Sequence, residues 1–204
     1  MTTGSDLLAL SPVMPVVVID DADDAVPTAR ALLAGGIGVI ELTLRTPAAL
    51  AAIERVATEV PDIVIGAGTV TSPGQAKQAA DAGAKFLVTP GCTDAVVDAC
   101  FESGLPFLPG ASTVSEAMKL AERGLTALKF FPAEASGGVA YLKSIAGPLP
   151  SLKFCPTGGI TVASAPTYLA LPNVGCIGGS WLTSSIATGD FATIEKLAAE
   201  AARL

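Results

Sequence analysis

Short apolar runs rich in β-branched residues alternate along this chain with longer Ala-rich stretches of helical period. Each run has the length of a buried strand, and each Ala-rich stretch has the period of an amphipathic helix. Because strands that alternate with helices pair in parallel, the pattern predicts repeated βα units and an α/β fold. The runs are eight in number: MPVVVI near 14–19, GVIELTL near 38–44, IVIGAG near 63–68, KFLVTP near 85–90, PFLPG near 106–110, ALKFFP near 127–132, KFCPTG near 153–158 and VGCIGG near 174–179.

Eight βα units at a spacing of about 20 to 25 residues predict a single (β/α)₈ TIM barrel over residues 1–204, with a short N-terminal lead-in at about 1–12. A doubly wound open sheet is the alternative. The barrel is favoured because Gly and polar residues cluster after many of the predicted strands, where a barrel builds its active site. The last helical segment, DFATIEKLAAEAARL, begins with Asp190, which is placed to cap it.

The composition excludes several classes of protein. A net charge of −7 with only 12 Lys and Arg argues against nucleic-acid binding. No window reaches about 18 uninterrupted apolar residues, so we expect no membrane span. The first residues lack the basic and apolar stretches of a secretory signal, which predicts a cytoplasmic location. A mean hydropathy of +0.58 predicts apolar surface buried in a large core or between subunits, and hence an oligomer.

The chain contains no His, which removes the commonest general base and the Ser-His and Cys-His nucleophile pairs. Acid-base chemistry therefore falls to Glu, Asp, Lys, Tyr, Cys or water. The four cysteines, Cys92, Cys100, Cys155 and Cys176, show no CxxC spacing. We expect reduced, partly buried thiols and no metal site.

Two charged residues lie inside predicted strands. Lys129 lies within ALKFFP and Glu41 within VIELTL, and strand alternation places Glu41 on one face with Val39 and Thr43. Desolvation disfavours a charged amine, and a neutral amine can attack a carbonyl to form a Schiff base. A buried carboxylate must pair, become neutral or take part in chemistry. The structural alternative is a buried Lys129–Glu41 ion pair, which is compatible with catalysis.

Polar residues follow the second and third predicted strands. Arg45 comes just after the strand in LTLRTP, and its rigid guanidinium suits bidentate binding of a carboxylate or phosphate. Thr69, in GAGTV, supplies a hydroxyl that we expect near the same anion. The alternative for Arg45 is a solvated loop residue.

Paired glycines follow the seventh and eighth strands. Gly158 and Gly159 lie in CPTGGI, whereas Gly178 and Gly179 lie in CIGGSW with Ser180 next to them. Barrels often hold a phosphate at these two turns, through backbone N–H groups that only Gly brings close enough. The pairs therefore predict phosphate binding, although a Gly pair by itself is usually a turn.

Taken in order along the chain, the segments PVVVI, AGG, ELTLRT, IGAGTV, VTPG, PGAST, KFFPAE, FCPTGGI and IGGSW resemble the 2-keto-3-deoxy-6-phosphogluconate (KDPG) aldolase family, also described as 4-hydroxy-2-oxoglutarate aldolase. The resemblance implies that Lys129 of KFFPAE forms the Schiff base. It also implies that Glu41 of ELTLRT is the general acid and base, and that Arg45 and Thr69 hold the pyruvate end of the substrate.

The same resemblance implies that Phe131 packs beside the imine and that the phosphate end of the substrate contacts a second group: Thr157, Gly158, Gly159, Gly179 and Ser180. It further implies a homotrimer of (β/α)₈ barrels with no metal and no cofactor. Leu42 stands where Val is frequent in the family. The N-terminal lead-in is short, which leaves open whether an N-terminal helix is present.

The resemblance implies a class I aldolase that cleaves 2-dehydro-3-deoxy-6-phospho-D-gluconate to pyruvate and D-glyceraldehyde 3-phosphate in the Entner-Doudoroff route. Its partners would be a small 2-oxo acid and a phosphorylated aldehyde. Three alternatives stay open at this stage. The same imine would serve a 4-hydroxy-2-oxoglutarate aldolase or an oxaloacetate decarboxylase; a phosphosugar isomerase or epimerase would need no imine; and a trimeric assembly scaffold would need no chemistry.

Overall fold

The computed structural model describes residues 3–204, in which parallel strands alternate with helices. All the strand pairings in this part of the chain are parallel, which confirms the predicted α/β fold. The strands are β1 Val13–Val17, β2 Val39–Thr43, β3 Val64–Gly68, β4 Phe86–Val88, β5 Phe107–Leu108, β6 Gly110–Ala111, β7 Ala127–Phe130, β8 Lys153–Pro156 and β9 Ile177–Gly179.

Five of the α-helices in residues 3–204 begin at residues whose side chains accept hydrogen bonds from the first turn. Asp190 accepts from the Thr193 N–H and so caps the last helix, as the sequence predicted. Thr113 and Glu116 form a reciprocal capping box. The helices are α1 Gly4–Leu8, α2 Ala25–Ala34, α3 Ala49–Glu59, α4 Pro73–Asp81, α5 Asp94–Glu102, α6 Val114–Glu122, α7 Gly138–Ile145, α8 Ala165–Leu169 and α9 Phe191–Ala201.

The segment predicted as a lead-in contains α1, which precedes the first strand. Thr3 caps this helix, and Leu7 and Leu8 are buried. Residues 1 and 2 of the predicted lead-in lie outside the described residues. A short N-terminal helix is therefore present, and its apolar side packs into the core.

The strands form two sheets. Six of them pair in the order β5-β4-β3-β2-β1-β9, and three pair in the order β6-β7-β8. The fifth predicted run splits at Pro109, because proline has no N–H to continue the ladder. Before Pro109 the run pairs on the β4 side, where the Thr89 N–H donates to the carbonyl of Leu108 at 3.2 Å. At Pro109 it turns to β7, where the Lys129 N–H donates to the carbonyl of Pro109 at 2.9 Å.

A second junction joins the other edges of the two sheets. Isolated parallel bridges connect Phe154 to Val174 and Thr157 to Gly178. The carboxyl ends of the strands of both sheets therefore meet on one side of the molecule. A continuous cluster of buried apolar side chains packs the strands against the helices. No helix in residues 3–204 combines the length and the apolar character that crossing a membrane requires.

Candidate active site

Lys129 and Glu41 form a buried ion pair. The Nζ of Lys129 lies 3.1 Å from Oε1 and 3.5 Å from Oε2 of Glu41. The two side chains are 5% and 2% exposed. Removing two charges from water costs several kcal/mol for each ion, so a pair placed here is a weak source of stability. A buried amine that contacts a single carboxylate is instead the arrangement expected of a nucleophile and its proton carrier.

The strands bring this pair together from different sheets. Glu41 is the central residue of β2, and Lys129 is the third residue of β7. Gly68, at the end of β3, leaves the space that the carboxylate occupies. A Cβ atom at Gly68 would lie 2.1 Å from Oε1 of Glu41, far inside van der Waals contact. The absence of a side chain at position 68 therefore helps to set the position of Glu41.

Arg45 and Thr69 contact each other just beyond β2 and β3. The Nε of Arg45 donates to Oγ1 of Thr69 at 3.1 Å. Thr69 has a φ of +58°, a left-handed conformation that is strained for a β-branched residue. The bond uses one N–H of the guanidinium, which leaves its other donors for a ligand. The pair is thus fixed at the carboxyl ends of the strands, where the remaining N–H donors of the Arg45 guanidinium point to its use in anion binding.

A cleft of about 220 Å³ opens at the same end of the molecule. Six of the predicted site residues line it, and they come from the ends of different strands: Arg45, Phe131, Thr157, Gly158, Gly159 and Ser180. Lys129, Glu41, Thr69 and Gly179 do not line it. Lys129 lies next to the cleft, because its Nζ is 5.6 Å from the ring centroid of Phe131, which lines the cleft.

The two glycine turns shape one wall of the cleft. Gly158 and Gly159 have φ values of +103° and +81°, which favour glycine. A Cβ atom at Gly178 would lie 2.1 Å from Oγ1 of Thr157, and one at Gly179 would lie 2.2 Å from the Trp181 ring. The glycines therefore allow close backbone approach, which is what binding of an anion by N–H groups requires.

Several residues of the site were not singled out from the sequence. Gly68 bounds Glu41, and Val16, Val18 and Ile160 line the cleft. Val16 and Val18 alternate along the first predicted run, so strand periodicity would have placed both on one face, and the structure pairs Val16 with Glu41. No comparable signal identifies Ile160. Gly68, the second glycine of the GAG segment, was visible in sequence, but its contact with Glu41 depends on how β2 and β3 pair.

Larger cavities lie elsewhere and contain none of the predicted residues. One, of about 580 Å³, lies between α4 and α5. Another, of about 390 Å³, lies beside α1 near the amino ends of β5 and β7. Neither contains a buried charged pair, so volume alone does not identify the site. The smaller cleft is favoured because strand-end donors converge there.

The four cysteines form no disulfides. All four are free, and Cys100, Cys155 and Cys176 are buried. Burial raises the pKa of Cys100 to about 12, so that thiol keeps its proton at neutral pH. Within residues 3–204, no group of three or more Cys, Asp or Glu side chains is arranged to hold a metal ion.

Comparisons with known proteins agree with the resemblance seen in sequence. The family model described as KDPG and KHG aldolase matches residues 5–197. The chain is 50% identical over 202 residues to the 2-dehydro-3-deoxy-phosphogluconate aldolase of Dickeya dadantii, covering 98% of this chain and 95% of that protein.

Two solved structures are also similar. The KDPG aldolase of Legionella pneumophila, with pyruvate captured at low pH as a covalent carbinolamine intermediate, has a TM-score of 0.96 and 45% identity over 98% of each chain. The 2-keto-3-deoxy-6-phosphogluconate aldolase of Zymomonas mobilis ZM4, solved with 3-phosphoglycerate, has a TM-score of 0.93 and 46% identity over 99% of this chain and 96% of that one. The chain belongs to the KDPG and KHG aldolase family.

Proposed function

We propose that this chain is a class I aldolase that cleaves 2-dehydro-3-deoxy-6-phospho-D-gluconate to pyruvate and D-glyceraldehyde 3-phosphate. The observation that carries the proposal is the buried Lys129 amine, 3.1 Å from the Glu41 carboxylate, beside a cleft of strand-end donors. Relatives named for this activity, and a related structure with covalently captured pyruvate, support the same chemistry.

The reaction begins when the amine of Lys129 loses its proton to Glu41 and attacks the C2 carbonyl of the substrate. Glu41 then gives this proton to the hydroxyl of the carbinolamine, which leaves as water, so that an iminium forms and the Glu41 carboxylate is restored. Glu41, directly or through water, then removes the proton of the C4 hydroxyl. The C3–C4 bond breaks, its electrons enter the iminium to form an enamine, and the aldehyde leaves. Glu41 returns the proton to C3 of the enamine, and hydrolysis of the imine then releases pyruvate and restores Lys129.

The two ends of the substrate would be held by different groups. Arg45 and Thr69 bind the carboxylate next to the reacting carbonyl, and Phe131 packs beside the imine. The phosphate end contacts the residues of the two glycine turns, which are Thr157, Gly158, Gly159, Gly179 and Ser180. Binding energy from the distant phosphate then orients the reacting atoms, which raises the rate more than contacts at the reaction centre alone.

One cationic side chain, Arg45, lines the cleft. The phosphate end therefore depends on neutral donors, so a shorter substrate that does not reach the glycine turns loses no ion pair there. This favours 4-hydroxy-2-oxoglutarate as a second substrate, and the family description names KHG as well as KDPG aldolase. Turnover of substrates with and without the phosphate separates the two activities.

We further propose that the two sheets close into one (β/α)₈ barrel that forms a single domain. The junctions at Pro109 and at the Thr157–Gly178 bridge support closure.

We also propose a homotrimer, which is supported by the resemblance and by the mean hydropathy of +0.58. Light scattering should then give three times the 20.3 kDa chain mass. Four free cysteines support a cytoplasmic location, which cell fractionation tests.

Borohydride reduction in the presence of pyruvate tests the central assignment. The wild-type chain should gain one reduced pyruvate adduct, and peptide mapping should find it on Lys129. Lys129→Ala should gain none and should lose at least about 10³-fold in turnover. Lys153→Ala is the matched control, since Lys153 lies on the neighbouring strand but is exposed. An adduct retained in Lys129→Ala would reject Lys129 as the nucleophile.

A further inference from the structure

A buried tyrosine binds a carboxylate behind the first glycine turn. The hydroxyl of Tyr168, on α8, donates to Oε1 of Glu134 at 2.6 Å. Tyr168 is 0% exposed, whereas Glu134 lies at the surface just after β7. Burial and the neighbouring carboxylate raise the pKa of Tyr168, so its hydroxyl keeps the proton that it donates. Neither residue has a role in the reaction steps described above.

Glu134 is also bonded to the glycine turn through its backbone. Its N–H donates to the carbonyl of Gly158 at 3.1 Å, and the preceding Ala133 N–H donates to the carbonyl of Thr157 at 2.8 Å. These two bonds join the loop that follows the Lys129 strand to the turn that lines the cleft. The shape of the turn thus depends on where Glu134 lies.

The side chain of Glu134 packs against the same turn. A Cβ atom at Gly159 would lie 2.7 Å from Cγ of Glu134, so the glycine backbone and the Glu134 side chain are in close contact. A Cβ atom at Gly138 would likewise lie 2.9 Å from the Tyr168 hydroxyl. The hydrogen bond is therefore enclosed by backbone on two sides. Loss of the Tyr168 hydroxyl frees the Glu134 side chain that supports Gly159, and loss of the Glu134 side chain removes that support.

We propose that Tyr168 is a positioning residue, which acts through Glu134 to hold the Gly158–Gly159 turn in the shape that receives the phosphate of the substrate. This inference rests on the proposed function. The hydrogen bond also keeps the Glu134 carboxylate directed toward α8, so that its negative charge does not turn toward the bound phosphate. Tyr168 would then affect binding of the phosphorylated end and not the chemistry at Lys129.

Tyr168→Phe removes only the hydroxyl. It should raise the KM for the phosphorylated substrate about tenfold, equivalent to about 1.4 kcal/mol, and leave kcat within about twofold. Its KM for 4-hydroxy-2-oxoglutarate and its borohydride trapping with pyruvate should not change. Inorganic phosphate should become a weaker competitive inhibitor by a similar factor. Tyr141→Phe is the matched control, since the Tyr141 hydroxyl contacts the Val114 backbone on α6.

Substitutions at Glu134 test the same link from a surface position. Glu134→Ala should reproduce the KM increase of Tyr168→Phe, and the double variant should be no worse than either single one, because both remove one interaction. Glu134→Gln keeps an acceptor for the tyrosine and should stay within about threefold of wild type. If Tyr168→Phe does not fold, Glu134→Ala alone provides the test.

Two results would overturn the inference. One is an unchanged KM for the phosphorylated substrate in both Tyr168→Phe and Glu134→Ala. The other is an equal rise for substrates with and without phosphate, which would indicate general loss of structure. A wild-type chain that does not cleave the substrate would instead reject the proposed function, so the two failures are distinguishable.

Discussion

The Nζ of Lys129 lies 3.1 Å from Oε1 of Glu41, although 88 positions separate the two residues in the chain. The contact crosses from the three-stranded sheet to the six-stranded sheet. It is buried, whereas the other ion pairs of the described residues have partly or largely exposed side chains. Changes at or beside this pair should therefore affect both catalysis and stability.

Glu41→Gln should abolish most turnover while some imine still forms. The amide cannot carry protons between substrate and solvent, and removal of a general acid or base typically costs about 10² to 10⁴-fold in rate. Steady-state cleavage together with borohydride trapping measures the two effects separately. Glu54→Gln, at an exposed position on α3, is the control. Wild-type cleavage rates in Glu41→Gln would remove Glu41 from the mechanism.

The same substitution should lower stability. A buried cation left without its carboxylate costs about 3 kcal/mol or more, because the desolvation cost is no longer offset by the pair. Urea unfolding followed by circular dichroism should show this loss in Glu41→Gln. The double variant with Lys129→Met should recover part of it, and a double variant less stable than the single one would contradict this account.

Gly68→Ala should reduce turnover by about 10 to 100-fold, because small displacements of a catalytic group cost rates of this order. The new methyl would meet Oε1 of Glu41 at 2.1 Å and push the carboxylate away from Lys129. Gly74→Ala is the matched control, since a Cβ atom there has no neighbour within 4 Å. The measurement is kcat, and equal kcat values for the two variants would show that Gly68 does not position Glu41.

Arg45→Lys should raise the KM for the 2-oxo acid about tenfold with little change in kcat. Lysine keeps the charge but lacks both the planar fork and the Nε that bonds Thr69 at 3.1 Å. Steady-state kinetics with a range of substrate concentrations measures the effect. Arg30→Lys, at an exposed position on α2, is the control. A rise in KM of the same size in the control would indicate a nonspecific charge effect.

Glu116→Gln should destabilise the protein near pH 7 but not at low pH. Backbone N–H donors, chiefly that of Ser112, lower the pKa of Glu116 below its ordinary value of 4.5. A lowered folded-state pKa adds stability above pH 4.5, and this stability is lost as the pH falls through the folded-state value. For this largely exposed carboxylate at a helix start we expect about 0.5 kcal/mol.

Urea unfolding at pH 7 and pH 3 measures that difference. Glu122→Gln, at the exposed end of the same helix, is the control. A stability difference between Glu116→Gln and wild type that persists at pH 3 would contradict the capping explanation.

Much of the architecture could be predicted because strands and helices leave local patterns. The runs MPVVVI and VIELTL correspond to β1 and β2, since burial on both faces selects β-branched residues along the whole strand. Asp190 could be identified as a cap because its bond to the Thr193 N–H involves only the first turn. The split of the fifth run at Pro109 was not predicted, because it depends on which neighbouring strand each half pairs with.

The sequence by itself determined the order of βα units, the family resemblance and the unusual presence of Lys129 and Glu41 inside apolar strands. These features are local, since each follows from the residue types within a few positions. The tertiary structure decided that the two charges meet, that Gly68 leaves room for the carboxylate and that Tyr168 reaches Glu134. Such contacts depend on strand pairing and packing between distant segments, and no short stretch of sequence encodes them.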